Sequence, residues 1–160
     1  MTRLTPAPSV SPPRSRANGE RGAALLEVAL TLPLLLLVCM GIFEFGRAFQ
    51  TWQVLTNAAR EGARIAVLPA MGSAEVQSRV RNFMAAGRLP NYGTATITVN
   101  SAARVVIGAG TASASEVTVA YPFDFMVLNP IARLVVADSS LGGAPVTLTA
   151  SSLMRNESPF

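Results

Sequence analysis

The sequence has no histidine and no lysine, and a single cysteine in 160 residues. Each shortage removes a chemistry. Without histidine there is no imidazole base for a Ser-His-Asp or Cys-His arrangement, and without lysine there is no Ser-Lys pair. Metal sites built on histidine or on several cysteines are excluded too, so neither a metal nor a cofactor is expected. Cys39 lies inside an apolar run with no second cysteine to pair with, and reads as a small hydrophobe. Glu75, Glu116, Asp124, Asp138 and Glu157 are too scattered to suggest a paired general acid and base. The glycines of "VVIGAGTAS" lack the third glycine and the following helix of a dinucleotide-binding loop, so this stretch reads as a loop between strands. The chain is not expected to be an enzyme.

Charge is scarce as well, at 14% of residues, and the net +4 is unevenly placed. Arg3, Arg14, Arg16 and Arg21 against Glu20 give residues 1–22 a net charge of +3, leaving +1 for the remainder. No basic face of the kind that binds nucleic acid is implied.

What the chain does have is a long apolar run. Residues 1–20 carry four prolines among serines and threonines, a tail that cannot bury enough surface to fold. Val28 to Phe43 is then 16 residues without a charge, and counting from Ala23 gives 21. At about 1.5 Å per residue this helix is roughly 30 Å long, the thickness of a bilayer core. Arginines before the run, and none after it until Arg47, place the N-terminus in the cytoplasm and the rest outside. The run ends in "CMGIFEFGRAF", a poor site for ordinary signal peptidase, which favours an uncleaved anchor.

From Glu44 the helical pattern continues. Phe45, Phe49, Trp52, Leu55, Ala59, Ala63 and Ala66 form one apolar stripe, expected to pack against the molecule's own domain until Pro69 ends the helix. Arg47, Gln50, Asn57, Glu61 and Arg64 fall mainly on the other faces. In "REGAR", Arg60, Glu61 and Arg64 read as a solvated face, while Gly62 allows close approach of another element, within this chain or between subunits. Ser73 is the expected N-cap of a second helix that buries Val76, Val80, Phe83 and Met84 and stops at Gly87 and Pro90. The period then changes to two over 94–100, 103–108, 115–123 and 145–154, and a sheet of three or four antiparallel strands is expected. Between the last two, "DFMVLNPIARLVVADSS" reads as a short helix or an irregular crossing segment. The fold class is α+β: a long N-terminal helix, transmembrane and then amphipathic, carrying a small antiparallel-sheet head that leans on the helix for its core.

One residue does not fit a plain anchor. Glu27 puts a carboxylate near the start of the apolar run, where full insertion would cost about 2.5–3.5 kcal/mol. It either sits at the interface beside Arg21 or is paired. If the peptide bond after Gly22 were cut, Ala23 would carry a new ammonium and Glu27 would be the fifth residue. Such a carboxylate can neutralise the ammonium of a neighbouring subunit, so that each charge lowers the burial cost of the other. Pro33 removes a helical N–H and crowds the Ala29 carbonyl, so a kink is expected there.

A basic leader, Gly22, four small or apolar residues, Glu27 and a membrane helix together resemble the processing signal of type IV pilins and pseudopilins. More specifically, "RGAALLEVALTLPLLLLVCMGIFEFGRAF" with "NAAREGARIAV", and the later "VTVAYPF" and "VTLTASSLMRNE", resemble the TadE-like minor pilins of the tight-adherence (Flp pilus) machinery of bacteria. The resemblance implies a pilin-like fold and a cytoplasmic leader over 1–22 removed by a prepilin peptidase between Gly22 and Ala23. It further implies a transmembrane helix over 23–45 in the inner membrane and an extracytoplasmic domain over 46–160. The partners it implies are the membrane, other pilins or pseudopilins and the assembly platform. Val28 stands where the family often has an aromatic residue, a departure that bears on recognition by the peptidase. The competing reading is an unprocessed signal-anchored envelope protein whose outer domain binds another membrane or periplasmic component.

Overall fold

The computed structural model describes residues 17–127, 129–130 and 145–156, with side chains from residue 22 onward. The leader up to residue 16 and most of the expected crossing segment, 131–144, lie outside the described residues. The described elements are two α-helices and three strands, an α+β architecture with a long apolar N-terminal helix. The chain forms two compact units, Met1–Cys39 and Met40–Phe160.

Helix α1 runs from Ala17 to Ala66. It therefore starts a few residues inside the stretch expected to be an unstructured tail, and ends shortly before Pro69. Its apolar stretch is long enough to cross a membrane, and the most apolar window of the helix buries nothing within the chain. Helix α2 (Ser73–Ala86) follows, and its N-cap is Gly72 rather than the expected Ser73, with no side-chain cap. Gly87 closes it, donating its N–H to the Phe83 carbonyl at 3.0 Å. Val76, Val80 and Met84 are buried as expected, whereas Phe83 stands at the edge of that face and is exposed.

Three strands form one antiparallel sheet in the order β1 (Thr96–Ile107), β2 (Gly110–Phe123), β3 (Val146–Arg155). Three strands fall within the expected three or four, and the segments 94–100 and 103–108 supply the halves of β1. They are joined through a bulge, because Asn100 pairs with Glu116 and Ala103 with Ala114, so two residues of β1 oppose one of β2. The Asn100 side chain accepts the Ala102 N–H at 3.1 Å and satisfies a donor that the interrupted ladder leaves free. Within "VVIGAGTAS" the loop is only Gly108 and Ala109, a two-residue hairpin turn between β1 and β2 with Gly108 at φ +59, a conformation that glycine takes without a Cβ penalty.

Alternate residues of β2, namely Ser115, Val117, Val119, Tyr121 and Phe123, face the helices. They meet Leu55, Ala58, Ala59 and Ala63 of α1 and Val76, Val80 and Met84 of α2 in one core, joined by Ile97 and Ala150. Each large aliphatic side chain so buried contributes about 1.5–3 kcal/mol. The head does lean on the second half of α1.

The stripe of α1 that packs matches the expected one in its later part, where Leu55, Ala59 and Ala63 are buried and Ala66 packs against the core, and departs from it before Leu55. Glu44, Thr51, Leu55, Ala58, Ala59, Gly62 and Ala63 are buried, whereas Phe45, Phe49 and Trp52 are 67%, 60% and 42% exposed. Small residues let the helix lie close to the sheet, and the aromatic side chains are turned away from it.

Candidate functional site

Every side chain from Gly22 to Met40 is exposed. Gly22 lies inside α1, and a Cβ built on it meets nothing within 4 Å. No packing within the described chain requires glycine there. Ala23 follows on the helix, and Glu27 lies one turn further along. The Glu27 carboxylate makes no hydrogen bond or ion pair among the described residues, although its backbone carbonyl accepts the Thr31 hydroxyl at 2.8 Å. That bond occupies the carbonyl with a side chain in addition to the helix ladder, an arrangement that often bends helices. Two residues on, α1 passes through Pro33 without a break in its assignment. The four positions singled out in the sequence, Gly22, Ala23, Glu27 and Pro33, thus lie along one exposed helix and do not converge on a pocket.

A second polar cluster went unnoticed in the sequence. Glu44 is fully buried, and its Oε1 accepts the Val127 N–H at 2.8 Å while Oε2 lies 3.1 Å from Nη2 of Arg47. Arg47 Nη2 also donates to the Asp124 carbonyl, and its guanidinium carbon sits 4.5 Å from the centre of the Phe123 ring. Phe123, Phe125 and Phe45 continue as edge-on pairs at 5.1 and 6.4 Å. A buried carboxylate is costly unless it is paired and hydrogen-bonded, and here it is both. The cluster fastens the segment that leaves β2 onto α1. Its sequence signal was the spacing of Glu44 and Arg47 by three, one helical turn, which also occurs by chance on many helices.

The face read as solvated joins two helices. Arg64 on α1 holds Glu61 with two bonds of 2.9 Å, and Arg79 on α2 reaches the same carboxylate at 2.9 and 3.1 Å. These bonds, first from Arg64 and then from Arg79, hold the Glu61 carboxyl at about 2, below its ordinary 4.5. Gly62 lies beneath this network. A Cβ there would stand 2.5 Å from Cγ2 of Val80 and 3.1 Å from Cγ1 of Val117, so the close approach it permits is within this chain. At the end of α1 the buried Ser115 hydroxyl lies 3.2 Å from the Ala66 carbonyl, one of the acceptors a helix terminus leaves open, and 2.7 Å from Oδ1 of Asn156.

A groove of about 510 Å³ opens beside this core, lined by Arg47, Thr51, Val54, Leu89 and Tyr121 among others. The Tyr121 hydroxyl donates to the Pro90 carbonyl, and burial raises its pKa above the ordinary phenol value. Among the described residues no three of His, Cys, Asp or Glu come together as metal ligands would. The features that stand out among the described residues are an exposed apolar helix and a well-fastened head.

Comparison with known proteins agrees with the residues quoted above. The family model described as TadE-like protein matches residues 22–64, which run from Gly22 to Arg64 of α1. No curated protein and no solved structure matches the chain.

Proposed function

We propose that this TadE-like protein, tied to the Tad pilus system by its match over residues 22–64, is a minor pilin or pseudopilin: a structural subunit of a Flp-type pilus or related secretion apparatus. The observation that carries the reading is where the match begins. It opens at Gly22, the residue at which the leader is read to end, and covers the apolar run whose side chains from 22 to 40 are exposed among the described residues. Gly22 meets no packing demand among the described residues, which leaves this position open to an outside agent such as a prepilin peptidase. In this reading the peptidase cuts between Gly22 and Ala23, with the N-terminus in the cytoplasm and the head outside the inner membrane. Glu27, unpaired within the described chain, then neutralises the Ala23 ammonium of a neighbouring subunit. Pro33 supplies a point at which the helix adjusts when it passes from bilayer to assembly.

The test is the intact mass and N-terminal sequence of the protein from its native membrane. A chain beginning at Ala23 is expected. A chain that keeps residues 1–22 in cells with an active prepilin peptidase would sink the reading and favour a static anchored binding protein. Gly22→Val should abolish maturation. Glu27→Ala should still be cut but should fail to enter the complex, and normal assembly of that variant would remove the charge-pairing account.

A further inference from the structure

We draw no further inference here: the strongest candidate, the groove of about 510 Å³ that Arg47 and Thr51 of α1, Arg88 just after α2, and Tyr121 and Asp124 at the end of β2 help to line, carries nothing, because its charges cancel, Arg47 against the buried Glu44 and Arg88 against Asp124, and nothing among the described residues shows what fills it.

Discussion

The two halves of α1 meet opposite fates. From Gly22 to Met40 every side chain is exposed, leucine after leucine. From Glu44 to Ala63 one face is buried to completion, and it is built mostly from small and polar residues: Glu44, Thr51, Ala58, Ala59, Gly62 and Ala63. Hydrophobicity alone therefore ranks the halves in the wrong order for self-packing. The most apolar half is reserved for a medium or partners that the chain does not supply, and the stability of the fold resides in the half whose residues are small enough, or well enough paired, to accept a sheet against them.

Substitutions can sharpen that contrast. The largest effect is expected from Arg47→Ala, which leaves the Glu44 carboxylate buried with only a backbone N–H. The head should lose about 3 kcal/mol of stability, read by chemical denaturation of the full chain in non-ionic micelles. Gly62→Val should cost about 2 kcal/mol in the same assay, since even the first added carbon collides with Val80 and Val117. Leu35→Ala, in the other half, should stay within about 0.5 kcal/mol despite removing more apolar surface than either. A comparable loss there would erase the division between the halves.

A smaller effect concerns pH. The Glu61 carboxyl titrates at about 2 when folded, against an ordinary 4.5. Its ion pairs therefore add stability that is fully present above the ordinary value and is lost as pH falls through the window between the two. Being near the surface, the network should move the melting temperature by only a few degrees. Glu61→Gln should remove that part of the acid sensitivity, and an unchanged acid profile would show that the network does not couple α1 to α2.

Much of this arrangement was legible in the sequence, and the failures have physical causes. The apolar run, the second helix, the change of period and the hairpin loop all carried local signals. The packing stripe of α1 was legible from Leu55 onward, at Leu55, Ala59 and Ala63, but not before it, because spacings of three and four fit two neighbouring faces equally well. The aromatic face through Phe45, Phe49 and Trp52 looked like the core, while Glu44 and Thr51 argued against the true one. Only the partners of Glu44, which lie up to 83 residues away, make its burial tolerable, and no local pattern reports them. The single strand β1 read as two because Ser101 and Ala102 break the alternation where the bulge absorbs them. Gly62 left open whether its close neighbour was internal or another subunit, and Val80 and Val117 answer that.

The bulge in β1 has a bearing on solubility. Among the described residues β1 pairs only with β2, so its other side is an edge of the described sheet. An unbroken edge is a template on which a second copy can add a strand, and segments of six or seven residues suffice for such stacking. The register shift cuts β1 into two paired runs of five, Thr96–Asn100 and Ala103–Ile107, with a local twist between them that Asn100 holds in place. The described edge of β1 is therefore two short runs set at an angle, a poorer template for an added strand than one straight run of ten.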